Sequence, residues 1–290
     1  MNNGLLVIDK PSGYTSRDIV NLVARFLNTS KVGHCGTLDP IATGVLVVAV
    51  NDGLKILEFM KNDTKEYIAT VKMGILTDTL DITGKVTKEK KYFLDISKLT
   101  NAINSFKGKY WQEVPLYSSV KVNGKRLYKY ARENEEVVLP KREVEILDIE
   151  LLDVNHDEFS FRTTVSKGTY IRSLIRDIGE KINIPCTMNS LRRVRQGDFS
   201  LDDAITLEDI ENNRFKFISI ERAFLGYHVE IVDDFLESKI LNGSILDNLY
   251  NEKSVVFKNK KDEVLAIYEV YDKDNTKIKP IKVLKKRLDF

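Results

Sequence analysis

Asp39 lies in a loop punctuated by Gly33, Gly36 and Gly44, where an exposed carboxylate could serve as a nucleophile or a base. The Asp39-Pro40 pair is also a common turn initiator, and residue types alone favour the turn. Tyr67 and Tyr170 could stack on an unpaired base or simply belong to a core or its rim, and Arg172 could hold a carboxylate in a two-pronged grip or lie on a helix surface. His34 beside Cys35 invites a metal or nucleophile reading, but His156 and His228 are the other histidines and none has ligand spacing, so no metal site is expected. Neither a Gly-x-Gly-x-x-Gly nor a phosphate-loop motif is present, so no nucleotide cofactor is expected and chemistry falls to side chains.

Charge narrows the partner. Net charge is only +2, yet between Phe161 and Gly197 eight basic residues (Arg162, Lys167, Arg172, Arg176, Lys181, Arg192, Arg193, Arg195) face two acidic ones. A second run from Thr276 to Arg287 carries Lys277, Lys279, Lys282, Lys285, Lys286 and Arg287 without an acid. Such clusters suit a phosphate backbone or a solvated face. The residues alone therefore reach an RNA or DNA binder that could also be an enzyme.

The elements that must position these residues follow from periodicity. Leu5 to Ile8 reads as a buried strand, Ser16 as the cap of a helix with Ile19, Val23, Phe26 and Leu27 on its apolar stripe, and Val45 to Val50 as a strand buried on both faces. The stretch between, with its glycines, reads as a loop. Tyr67, Ala69, Val71 and Met73 alternate as a half-buried strand, and Ile96 to Phe106 has helical spacing closed by Gly108. Asn123-Gly124 predicts a tight hairpin turn after Lys121. A strand through Phe159 to Val165 ends at Lys167-Gly168. A helix with Ile171, Leu174, Ile175 and Ile178 follows, stopping at Gly179 and placing Thr169, Tyr170 and Arg172 at the junction. Leu201 to Glu211 reads as a surface helix or connector, and short strands take over past Gly226.

With 290 residues, 42% of them hydrophobic and 30% charged, the chain has material for about two globular domains of α+β class. Two distant cysteines fit a reducing compartment, and no stretch is long and apolar enough to span a membrane, so a cytoplasmic location is expected.

The segment Gly33-His34-Cys35-Gly36-Thr37-Leu38-Asp39-Pro40-Ile41-Ala42-Thr43-Gly44 closely resembles the signature of the TruB family of tRNA pseudouridine synthases. Further blocks resemble the family's in order: Asp9 to Ser16, Lys65-Glu66-Tyr67, Pro115 to Arg126, Ser166 to Leu174, and Leu191-Arg192-Arg193. Val114-Pro115 departs from the two prolines of many relatives. The resemblance implies that Asp39 is the catalytic aspartate, Arg172 its partner, Tyr67 the tyrosine that stacks on the target base, Tyr170 the second active-site tyrosine and Leu191 the apolar wall. It implies that His34 lies against the RNA near the flipped nucleotide. Lys10, Lys121, Arg192 and Arg193 are expected to contact the RNA. The implied reaction is isomerisation of uridine 55 in the tRNA T loop to pseudouridine, with no cofactor and no guide RNA, by a monomer. The fold implied is a large mixed, mainly antiparallel sheet with flanking helices over residues 1–225, followed by a small PUA-like RNA-binding β domain over 226–290. The rivals are a non-catalytic tRNA-binding or RNA-folding protein, a glycosylase-like hydrolase that would release free uracil, and a guide-dependent relative.

Overall fold

The computed structural model describes residues 3–60 and 64–284. The run Lys285-Lys286-Arg287, the basic end of the second cluster, lies outside them.

In chain order the first half comprises β1 (Gly4–Lys10), α1 (Ser16–Phe26), β2 (Val32–Cys35), β3 (Thr43–Val50), β4 (Thr64–Met73), β5 (Ile75–Thr77), β6 (Val86–Glu89), α2 (Ile96–Asn104), β7 (Gly108–Glu113), β8 (Lys121–Val122), β9 (Lys125–Arg126) and α3 (Leu127–Glu133). Then follow β10 (Lys141–Asn155), β11 (Glu158–Ser166), α4 (Ile171–Ile182), β12 (Cys186–Gln196), β13 (Phe199–Ser200), β14 (Ala204–Ile205) and α5 (Leu207–Glu211). The last described elements are β15 (His228–Ile231), α6 (Asp234–Leu241), β16 (Leu246–Asp247), β17 (Ser254–Lys258), β18 (Val264–Tyr271) and β19 (Asp274–Val283).

β3 is apolar on both sides because both sides are covered: Val45 to Val50 are all fully buried. It lies inside a ten-stranded sheet ordered β14-β1-β3-β12-β4-β11-β10-β7, with β2 added to β3 and β13 to β12. Pairing is antiparallel except for β1 with β14 and β3 with β12. The fold is α+β, with a mixed and mainly antiparallel central sheet.

One face of the sheet packs Leu6, Tyr67, Ala69, Val71 and Phe161 against Ile19 and Val23 of α1, Leu99 and Ile103 of α2 and Leu174, Ile175 and Ile178 of α4. The other face packs Leu5, Val7, Val45 and Val47 with Val256, Val264 and Ile267 of a second sheet, ordered β15-β17-β18-β19-β16. Polar ties reinforce that seam, as Tyr227 donates to the Phe59 carbonyl at 2.7 Å and Lys282 pairs with Glu58 at 3.0 Å. The second sheet also has its own core of Val232, Ile240, Val255, Phe257, Leu265 and Tyr268. Its apolar residues thus serve two cores.

Local corrections have physical causes. The cap of α1 is Thr15, which forms a reciprocal capping box with Asp18, while Ser16 is buried in the first turn. The expected loop before β3 begins as a strand, because Val32 to Cys35 pairs with the otherwise open edge of Val47 to Val50. α2 ends at Asn104, and Gly108 at φ 104° opens β7 instead. The Leu201–Glu211 stretch is a connector broken by β14, which pairs with β1.

Gly179 sits inside α4, which ends at left-handed Asn183. A Cβ at Gly179 would meet the Ile184 carbonyl at 2.7 Å and Cys186 Cβ at 2.9 Å, so the helix needs glycine there for its contact with the start of β12. Gly179→Ala should therefore destabilise the fold by about 1–2 kcal/mol despite alanine's better helix propensity, read as a lowered Tm; a raised Tm would contradict the contact.

Candidate active site

The loop between β2 and β3 is held from beneath by two buried cations. Arg193 of β12, fully buried, donates from Nε to the Val45 carbonyl at 2.7 Å, from Nη2 to Gly36 at 3.1 Å and from Nη1 to Thr37 at 3.4 Å. Lys10, also fully buried, donates from Nζ to the carbonyls of Tyr14 at 2.7 Å, Pro11 at 2.8 Å and Pro40 at 3.2 Å. Burial pushes the Lys10 ammonium down to about 8, while the nearby Asp39 carboxylate pulls it back up. The Ser16 hydroxyl accepts from the Leu38 amide at 2.9 Å and donates to its carbonyl at 3.3 Å. Gly44, at φ 98°, lies so close to β12 that a Cβ would fall 2.2 Å from the Arg193 carbonyl. The loop backbone is thus pinned at both ends, on either side of Asp39.

Asp39 meets Arg172 across this loop. Nε donates to Oδ2 at 2.8 Å and Nη2 to Oδ1 at 3.1 Å, the fork geometry that fixes a carboxylate plane. Arg172 is 4% exposed and also donates to the carbonyls of Thr79 at 2.8 Å and Tyr117 at 3.0 Å. The Asp39 side chain remains 32% exposed, so the arginine is sealed and the carboxylate is presented. Behind Thr79, Asp81 organises the turn: its Oδ1 accepts from Thr79 Oγ1 at 2.9 Å and the Thr83 amide at 3.1 Å.

Tyr170 immediately precedes α4. Gln112 of β7 accepts from the Tyr170 amide at 2.8 Å and donates to its carbonyl at 3.1 Å, and the Arg142 guanidinium lies 5.6 Å from the Tyr170 ring centre. Tyr67 and Leu191, each 6% exposed, sit on adjacent β4 and β12, where Tyr67 pairs with Arg193 and Leu191 with Ala69. Asp39, Arg172, Tyr170, Tyr67 and Leu191 therefore all belong to the loop, the α4 start and the two central strands. His34 lies on β2 at the start of the same loop. Burial, then the charges of Arg17 and Arg193, lower its pKa, and its Nδ1 is buried without a hydrogen-bond partner.

Four expected RNA contacts fare differently. Lys10 and Arg193 are corrected: both are sealed beneath the loop with their donors on backbone carbonyls, so they build the site from within and do not face a ligand. Arg192 is part-exposed and forked onto Asp9 at 2.8 and 3.1 Å. Lys121 is exposed on the β8–β9 hairpin, whose turn has positive φ at Asn123 and Gly124 as expected. Thr79, Tyr117 and Gln112 were not singled out in the sequence. The first two contribute only backbone carbonyls, which carry no residue signal, and Gln112 is an ordinary strand glutamine until the fold sets it under Tyr170.

Two family models match in succession. The model described as TruB family pseudouridylate synthase (N terminal domain) matches residues 24–171, and that described as tRNA pseudouridylate synthase B C-terminal domain matches 172–228. The Asp39–Arg172 pair joins the two matched segments. Among curated proteins, tRNA pseudouridine synthase B of Lactobacillus acidophilus is 41% identical over 282 residues, covering 93% of this chain and 95% of its own length. The Bacillus subtilis protein of that name is 40% identical over 304 residues, covering 98% of each. A chain in the crystal structure of a Cbf5-Nop10-Gar1 complex superposes with a TM-score of 0.75 at 25% identity, covering 98% of this chain and 85% of that one. Sequence likeness over nearly the whole length, and an aspartate–arginine pair built by both matched segments, agree: this chain belongs to the TruB family of pseudouridylate synthases.

Proposed function

We propose that the protein isomerises uridine 55 in the T loop of tRNA to pseudouridine. The observation that carries this reading is the Asp39–Arg172 fork, with a sealed arginine and a carboxylate left open to a ligand. A base stacked in a folded loop is out of reach, so the target must be flipped out at a cost of a few kcal/mol, offset by stacking and phosphate contacts. Tyr67 stacks on the flipped base and Leu191 walls the pocket. Asp39 acts as nucleophile or proton-transfer group, at sugar C1′ or C2′ or at base C6, while Arg172 orients it. The N1–C1′ bond breaks, the uracil turns, and C5 bonds to C1′. The proton leaves C5 and N1 gains one, so substrate and product are isomers and no co-reactant is needed. Tyr170 takes the C5 proton or holds the base. His34 lies against the RNA beside the flipped nucleotide, and Arg192 and Lys121 meet its backbone.

The enzyme acts on free tRNA without a guide RNA, as a cytoplasmic monomer. Residues 226–290 form a small PUA-like RNA-binding domain beside a catalytic domain of 1–225. A single-turnover reaction of the purified protein with an unmodified tRNA transcript, mapping pseudouridine in the product, tests the reading. Pseudouridine at T-loop position 55 is expected. Tight binding with no pseudouridine would make it a non-catalytic tRNA binder, and release of uracil would make it a hydrolase.

A further inference from the structure

Lys65 stands two residues before Tyr67 on β4, so both side chains leave the same face of the sheet. Its cross-strand neighbours are Val165 of β11 and Gln196 of β12. The side chain is partly buried, and among the described residues its ammonium has no hydrogen bond or ion pair. The adjacent acid, Glu66, points to the opposite face and is engaged by Arg195 at 3.1 Å and Arg162 at 3.7 Å.

The groups that act on Lys65 come from three elements. Arg193 of β12 and Lys167, just past β11, are cations that oppose its charge; Cys35 of β2 favours it, and no carboxylate does. Arg193 is committed to three carbonyls, and Lys167 is exposed. His34, two residues from the loop's first pinned carbonyl, adds a buried Nδ1 without a partner. The cations Lys65, Arg193 and Lys167 thus gather around the Tyr67 end of the cleft, and among the described residues no carboxylate pairs with the Lys65 ammonium. A partly desolvated ammonium in such a place is unfavourable until an anion arrives.

We propose that the anion is the substrate's own backbone: Lys65 receives a phosphodiester oxygen of the RNA at the nucleotide flipped against Tyr67, with Lys167 on the exposed side of the same phosphate. The inference rests on the RNA substrate read above. Residues two apart on a strand are about 6.8 Å from one another, a separation that one nucleotide bridges from base to phosphate. Lys65 and Tyr67 would then grip the two ends of the same nucleotide.

A consequence follows for pH. In the free protein, burial first and Arg193 next push the Lys65 ammonium down to about 8. A phosphate beside it restores the charged form, so RNA binding takes up a proton wherever free Lys65 is neutral. The contribution is complete below about pH 8, falls as pH rises above that value, and is gone once pH exceeds the raised value of the phosphate-bound ammonium. Among the described residues Lys10 is also near 8, and it stays on its carbonyls.

The test measures affinity for an unmodified tRNA transcript from pH 7 to 9, and its salt dependence, for the wild type, Lys65→Arg and Lys65→Met. Wild-type affinity should fall about tenfold between pH 7 and 9. Lys65→Arg should bind like the wild type at pH 7 and lose the fall, because arginine does not titrate there. Lys65→Met should bind about tenfold more weakly at pH 7, with a salt slope shallower by nearly one phosphate contact. A pH fall that persists in Lys65→Arg would assign it to a group other than Lys65, such as Lys10, and overturn the proposal, as would unchanged affinity in Lys65→Met. Lys65→Arg carries the test alone if Lys65→Met does not fold. Pseudouridine formation on the same samples separates the two readings: binding as expected with no product in the wild type sinks the enzymatic reading only, whereas normal product with pH-independent binding sinks the phosphate site only.

Discussion

Asp39→Asn should abolish pseudouridine formation while leaving tRNA affinity and Tm close to those of the wild type. The amide is nearly isosteric with the carboxylate and its oxygen can still accept from Arg172, so the loop pinned by Lys10, Arg193 and Ser16 keeps its shape. What disappears is the anionic oxygen that, in the proposed reaction, attacks or moves a proton, and a loss of at least about 10⁴-fold in single-turnover rate is expected. Asp39→Ala should be equally inactive but less stable, since it strips two acceptors from an arginine that is 4% exposed. Residual activity in Asp39→Asn within tenfold of the wild type would remove Asp39 from the chemistry. The comparison therefore separates the role of the charge from that of the shape.

Arg172→Ala should harm both activity and stability. The side chain ties together the loop carrying Asp39, the turn at Thr79 and the segment at Tyr117, so its loss frees the carboxylate plane and leaves two carbonyls without their donors. Asp39 is one-third exposed and water can solvate it, which places the stability loss near the low end for a broken buried pair, about 2–3 kcal/mol. The rate should fall about 10³-fold, because an aspartate that rotates freely spends little time aligned. Arg172→Lys restores charge without the fork and should recover only a small part of the rate, measured by single turnover alongside thermal melting. Recovery to wild-type rate by lysine would show that charge alone, without orientation, is what the site requires.

Much of the site was legible in the primary structure because its motifs are contiguous. The Gly33 to Gly44 stretch, the Tyr67 strand and the junction from Lys167 to Arg172 each hold their candidate residues within a few positions, and local periodicity places the Tyr67 strand and the α4 junction on the right elements, while the first residues of the stretch, read as loop, form β2. The β3 run and the Asn123-Gly124 turn were equally plain, since burial on two faces and left-handed backbone leave direct marks on residue choice. Boundaries were less plain where one signal had two uses. Gly179 reads as a helix stop but is a packing glycine, and Ser16 reads as a cap but is a tie to Leu38.

The roles of Lys10, Arg192 and Arg193 show the deeper limit. A basic residue in a motif looks the same whether its charge faces RNA or a buried carbonyl, and burial depends on which strands lie above it. Only the pairing of β12 beside β3, in register at Arg193 and Gly44, puts Arg193 under the loop and leaves Arg192 outside on Asp9. Backbone acceptors such as Thr79 and Tyr117 have no side-chain signature at all, and they meet Arg172 across separations of 93 and 55 residues. The sequence by itself determined which groups could react and the family to which they belong. The tertiary structure alone decided which cations are sealed and which stay open to an anion, because desolvation is a property of neighbours far apart in the chain.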